Sequence, residues 1–178
     1  CCGRENLNVL EAFDRAVDRA VDPLRGNSVV DVVSYSSSAL GDHGLVWFLI
    51  GVADFRKPDR RRRSLRAVAF TGLVTPIVNR GVKAVTQRAR PDDEARHLLP
   101  LRIPSTTSFP SGHALAAWCA AVLFAEEDPL APIYFAIAAL ISVSRIHVRL
   151  HHATDVLGGS LLGVALGYAG RRVVPLHS

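Results

Sequence analysis

Residues 103–144 read IPSTTSFPSGHALAAWCAAVLFAEEDPLAPIYFAIAALISVS, and their reading decides the fold. Two runs without Asp, Glu, Lys or Arg, Ile103–Ala125 and Pro129–Ser144, flank one acidic triplet, Glu126-Glu127-Asp128. A third such run is Val156–Gly170, and charges are dense everywhere between them. None of the runs alternates apolar and polar residues as a half-buried strand does, and no βαβ pattern surrounds them. The 178 residues are 49% hydrophobic and 21% charged, and the mean hydropathy of +0.21 averages over this segregation. Such a composition excludes a disordered tail, a collagenous repeat and a disulfide-stapled miniprotein. It predicts an all-α integral membrane helical bundle.

Working outward, five spans are predicted. The first covers about Val32–Phe55, broken by Gly41-Asp42-His43-Gly44, and the second about Leu65–Lys83, with Pro76 as a kink site. The others cover about Ser111–Ala125, Leu130–Ser144 and Thr154–Gly170. Several fall short of the roughly 20 residues a bilayer requires, and their polar ends bring them close. A bundle buried in water is the competing reading. Residues 5–25 form an amphipathic helix, with Leu10, Phe13, Val17, Val21 and Leu24 at spacings of three and four, lying on the membrane surface or over the bundle. The expected organisation is one domain, 1–178, with an interfacial helix in 1–30 and a transmembrane bundle in 31–173. Cys1, Cys2 and Cys119 suggest no disulfide framework; Cys1 reads either as the start of a trimmed chain or as a lipidated cysteine.

The net charge is +5, from 19 Arg, 2 Lys and 16 acids. The segment 56–66, RKPDRRRRSLR, holds seven basic residues and one acid, which makes it a cytoplasmic loop. Alternation then puts the 84–110 and 145–153 segments outside. That outer face should be poor in cations. Instead it gathers Lys83, Arg88, Arg90, Arg96, Arg102, Arg145 and Arg149, with His113, His147, His151 and His152. Cations placed against the topological preference point to a functional site.

Three segments give that site its chemistry. Lys83-x6-Arg90-Pro91 pairs a compact ammonium with a planar guanidinium, a good grip for a phosphate dianion. Pro110-Ser111-Gly112-His113 opens a span: a helix N-terminus offers N–H groups, Gly112 permits close approach, Ser111 adds a hydroxyl and His113 a transferable proton. An ordinary capped helix with a surface histidine fits it equally well. Ser144-Arg145-x5-His151-x3-Asp155 puts a carboxylate four residues after an imidazole, so that Asp155 orients His151 as a nucleophile; an N-capping aspartate beside a bystander histidine is the alternative. His147 and His152 read as bystanders. The arginines would repel a metal ion.

The three segments together resemble the signature of the type 2 phosphatidic acid phosphatase superfamily, K-x6-RP, PSGH and SR-x5-H-x3-D, over residues 83–155. The stretch Ser38–Trp47 (SALGDHGLVW) resembles its short bacterial branch. The resemblance implies that Lys83, Arg90 and Arg145 hold the phosphoryl oxygens, with Ser111 and Gly112 completing the cradle. It implies that His151 attacks phosphorus, Asp155 orients it, and His113 protonates the departing lipid oxygen. No metal and no cofactor are expected. The expected partners are a lipid phosphate substrate (polyprenyl diphosphate, phosphatidate, phosphatidylglycerophosphate or prenyl-phosphoryl-phosphoribose phosphate) and membrane lipids. No nucleic acid is expected, because no aromatic platform accompanies the arginines; homo-oligomer formation is left open. Two other functions share these residues: a vanadate-dependent haloperoxidase-like enzyme and a non-catalytic polyprenyl-phosphate binding or transport protein. The paired histidines argue against the second.

Overall fold

Asn27 starts the first helix of the bundle by accepting from Val29 N (3.1 Å) and Val30 N (3.3 Å), an ordinary N-cap. In the computed structural model, which describes residues 2–91 and 107–176, seven α-helices and no strand are present among the described residues. They are α1 (Cys2–Val21), α2 (Ser28–Gly41), α3 (Leu45–Phe55), α4 (Arg61–Thr86), α5 (Gly112–Phe124), α6 (Ala131–His147) and α7 (Ala153–Val173). Cys1, Arg96 and Arg102 lie outside the described residues.

The all-α expectation holds, and the count of elements changes. The first predicted span is two helices, α2 and α3, separated by a 3-10 turn at Asp42–Gly44, with Gly44 at φ 70°. A backbone in the left-handed region separates that turn from α3, and glycine is the residue that adopts it without strain. Helix α4 runs through Pro76 uninterrupted. No helix among the described residues is long and apolar enough to cross a membrane by itself. The reason is a division of properties: α5 and α6 are apolar but have 13 and 17 residues, whereas α4 has 26 residues and begins with RRRSLR.

Helix α5 is the hub. Leu115, Ala117, Cys119, Val122, Leu123 and Phe124 are fully buried against α4, α6 and α7. Close approach of α7 depends on missing side chains. A Cβ at Gly163 would stand 2.3 Å from Leu115 O, and one at Gly159 2.5 Å from Ser111 O. This four-residue spacing of small residues lets two helix backbones touch.

The sequence 56–66 divides in the structure. Arg56, Lys57, Arg61 and Arg62 are exposed, as expected of a basic loop. Arg63 and Arg66 are buried instead, bonded to Asp128 and to Glu126 respectively. Helix α1 also holds a reversal. Leu10 and Phe13 are exposed, while Asp14, from the polar stripe, is buried against the first turn of α7.

Candidate active site

All three sequence segments converge at the end of the bundle opposite Arg63 and Arg66. Lys83 lies in the last turn of α4, and Gln87 (φ 41°) ends that helix in a left-handed turn that sends the chain back over the bundle. The returning strand of chain is tied to the segment before α5: Lys83 Nζ donates to Thr107 O (2.7 Å), Thr86 Oγ1 to Phe109 O (3.0 Å), and Ser108 N to Arg88 O (2.8 Å). The start of α5 is tied in turn to α7, because Ser111 N donates to Asp155 O (3.0 Å).

The loop between α6 and α7 folds back on Arg145, whose carbonyl accepts from Leu150 N (3.1 Å) and His151 N (3.2 Å). Arg149 sits at φ 55° within that loop, a conformation an L-residue holds at some cost. The result is a buried imidazole between a cation and an anion. His151 Nε2 lies 3.5 Å from Arg90 Nη1, and Nδ1 lies 3.7 Å from Asp155 Oδ2. Arg90 Nη1 also donates to Leu150 O (2.6 Å), which fixes its approach to the ring. Burial is the main force on the imidazole and pulls its pKa down to about 4; the charges of Arg90 and Arg145 push the same way, and the Asp155 carboxylate opposes them. The ring is therefore neutral at pH 7, with a lone pair to give.

Asp155 does two jobs. It closes a capping box at the start of α7, accepting from His152 N (2.8 Å), and it stands beside His151. The N-cap itself is His152, and Asp155 serves the helix start from the third helical position while lying beside the imidazole. Its oxygens also accept from Ser108 Oγ and from Arg88 Nη1 (2.8 Å).

His113, in the first turn of α5, contacts Asp42 through Nε2 at 2.7 Å. Room for the ring is left by Gly41, where a Cβ would stand 3.1 Å from His113 Cδ2. Gly112 faces Asn79: a Cβ there would meet the amide nitrogen at 2.8 Å. Arg145 is buried and donates to Ser38 Oγ. His147 is a structural residue, bonded to Asp31 of α2 at 2.7 Å, and His152 is the N-cap of α7.

Eight buried side-chain nitrogen or oxygen atoms lack a hydrogen-bond partner among the described residues, and five of them belong to this end: Asn79 Oδ1, Thr107 Oγ1, Ser111 Oγ, Arg145 Nε and His151 Nδ1. Unsatisfied buried polar atoms cost about 1–3 kcal/mol each, so their concentration marks a place built for a polar ligand. A cavity of about 360 Å³ adjoins His151, lined by Asp14, Arg88, Arg149 and His152 among others.

Sequence reasoning missed four contributors: Ser38, Asp42, Ser108 and Asp14. Asp42 left a signal, since it lies in the polar break GDHG inside an otherwise apolar span. Ser38 opens the stretch SALGDHGLVW that carries part of the family resemblance, and Ser108 and Asp14 left no signal.

Comparison with known proteins shows the family. The PAP2 superfamily profile matches residues 64–177. Decaprenylphosphoryl-5-phosphoribose phosphatase of Mycobacterium tuberculosis is 29% identical over 130 residues, 73% of this chain and 72% of that protein. Phosphatidylglycerophosphatase B of Bacillus subtilis is 33% identical over 102 residues, 51% of this chain and 48% of that protein. The crystal structure of a transmembrane PAP2-type phosphatidylglycerolphosphate phosphatase from Bacillus subtilis superposes with a TM-score of 0.74 at 27% identity, over 93% of this chain and 86% of that one. The chain belongs to the PAP2 superfamily and is a phosphoric ester hydrolase.

Proposed function

We propose that this protein releases inorganic phosphate from a lipid phosphate through a phosphohistidine formed at His151. The observation that carries the reading is the placement of that imidazole, neutral and buried, with Nε2 toward Arg90 and Nδ1 toward Asp155. In the first step the Nε2 lone pair attacks phosphorus, a P–N bond forms and the P–O bond to the lipid breaks. His113, held by Asp42, gives its proton to the departing oxygen. In the second step His113 takes a proton from water, the hydroxide oxygen bonds to phosphorus, and the P–N bond breaks to free His151 and phosphate. Asp155 stabilises the imidazolium character that develops on His151.

Lys83, Arg90 and Arg145 neutralise the phosphoryl oxygens, and Ser111 Oγ with the first-turn N–H groups of α5 completes the cradle. Three fixed cations supply the charge that a divalent ion supplies in many phosphoryl-transfer sites. Activity is accordingly expected to survive EDTA and to be inhibited by vanadate, a phosphate mimic.

The substrate reading is a phosphomonoester or diphosphate on a membrane lipid. Two observations support it. The relatives named above act on decaprenylphosphoryl-5-phosphoribose and phosphatidylglycerophosphate. The outside of the bundle is apolar, with Leu73, Ile77 and Leu161 about 70% exposed (68%, 71% and 71%), which suits a lipid surround. Exposed Arg56, Lys57, Arg61 and Arg62 favour the cytoplasm for their end, so the catalytic end faces outward.

The test is phosphate release by the purified protein in detergent from a panel containing phosphatidate, phosphatidylglycerophosphate and a polyprenyl diphosphate. His151→Ala should lower turnover at least about 10³-fold, since the residue forms the covalent bond. His113→Ala should cost roughly 10²–10⁴-fold. Full activity of the His151→Ala protein would overturn the mechanism.

A further inference from the structure

The nucleophile's supporting carboxylate is itself held by a residue from the far end of the chain. Asp14, on α1, is buried and accepts three hydrogen bonds: from Arg88 Nη2 (2.6 Å), Thr154 N (2.8 Å) and Thr154 Oγ1 (2.9 Å). The same guanidinium reaches Asp155 Oδ1 with Nη1 (2.8 Å), and that nitrogen also donates to Thr154 Oγ1 (2.6 Å). Arg88 therefore stands between two carboxylates. One belongs to the surface helix, the other faces His151.

The electrostatics of that arrangement are specific. An uncompensated guanidinium bonded to Asp155 draws its negative charge away from His151 and weakens the stabilisation of a developing imidazolium. A second carboxylate on the opposite edge of Arg88 offsets that pull, at a site where effective dielectric is well below that of water. We infer that Asp14 is a positioning residue of the hydrolysis: it balances Arg88, and thereby leaves Asp155 able to hold and polarise His151. This rests on the reading of His151 as nucleophile and assigns a catalytic consequence to the seating of α1.

The experiment measures kcat, KM and melting temperature of the full chain in detergent, with phosphatidate as probe, for D14N, D14E, D155N, the double variants D14N/D155N and D14N/R88Q, and H151A. D14N should lower kcat about 10–50-fold with KM within about twofold, the signature of a group felt in the transition state rather than in binding. D14E, which keeps the charge, should recover most of that loss. In the D155N background the same D14N change should cost less than about twofold, because the two residues act along one path. D14N/R88Q should turn over faster than D14N, since the unbalanced cation is gone; a purely structural role would make it slower. Should D14N fail to fold, the D14E and D14N/R88Q proteins carry the test. Wild-type kcat in D14N, full multiplication of its loss on D155N, or a D14N/R88Q protein slower than D14N overturns the assignment. An active H151A protein overturns the nucleophile reading beneath it, whereas an inactive H151A with an unimpaired D14N overturns only the role of Asp14.

Discussion

The two ends of this bundle bury the same side chains for different purposes. At one end Arg63 and Arg66 are buried, and each meets carboxylates: Arg63 pairs with Asp128 and, at 3.5 Å, with Asp54, while Arg60 approaches Asp128 at 3.2 Å and Arg66 bonds Glu126. At the other end Arg145 is as deeply buried, and it bonds a serine hydroxyl. Arg88, at the same end, is instead paired with Asp14 and Asp155. A guanidinium opposite a carboxylate is neutralised and locks helices together. Arg145, opposite a hydroxyl, is the cation proposed to keep its charge for a ligand. Burial alone does not separate structure from function here; the partner does.

The widest separation of the two ends should come from removing one cation at each. Arg145→Gln should lower phosphate release by about 10³-fold, as expected for a lost charge on the transferring phosphoryl group. Its melting temperature should hold or rise, because a poorly compensated buried charge is relieved. Arg63→Gln should do the opposite. It leaves Asp128, whose side chain is fully buried, without its closest cation, which costs about 3–5 kcal/mol. Turnover per folded molecule should stay near wild type. If Arg145→Gln melts far below wild type with its loss of activity, the division between a locking end and a binding end fails.

Much of this was legible in the sequence, and the unreadable part has a common physical cause. Charge-free runs bounded by Pro, Gly and acidic residues located α5, α6 and α7 to within a few residues, since α5 is buried and the exposed faces of α6 and α7 are apolar too, with Ile133, Val143, Leu157 and Leu161 on them. The residues proposed to face phosphate are ones whose order and spacing lie close along the chain: Lys83 and Arg90 across one helix end, His151 and Asp155 across the start of α7. What supports them comes from distant segments. Asp42 reaches His113 across 71 positions, Ser38 reaches Arg145 across 107, and Asp14 reaches Thr154 across 140. No local spacing encodes such contacts. The reading of α1 shows the limit most sharply. Its apolar stripe was visible, but the docking residue is an aspartate on the polar stripe, and periodicity of hydrophobic residues carries no information about which polar residue finds a partner. The basic run 56–66 was misjudged for a related reason, because Arg63 and Arg66 look no different in sequence from the exposed Arg61 and Arg62 beside them.

A smaller effect tests the catalytic end through pH. Burial holds the His151 imidazole near a pKa of about 4, against 6.5 for a histidine in the unfolded chain. Between those two values the unfolded chain takes up a proton that the folded protein refuses, so unfolding is favoured as pH falls. The stability this neutral ring contributes is present above pH 6.5 and is lost progressively as pH drops toward 4. Replacing the ring with an amide removes the titration and leaves all other groups in place. Lowering pH from 7 to 4 should therefore depress the melting temperature of the wild-type protein more than that of His151→Gln. Equal acid sensitivity of wild type and His151→Gln would mean that the folded protein takes up this proton as readily as the unfolded chain, so that burial does not hold the His151 ring neutral below pH 6.5.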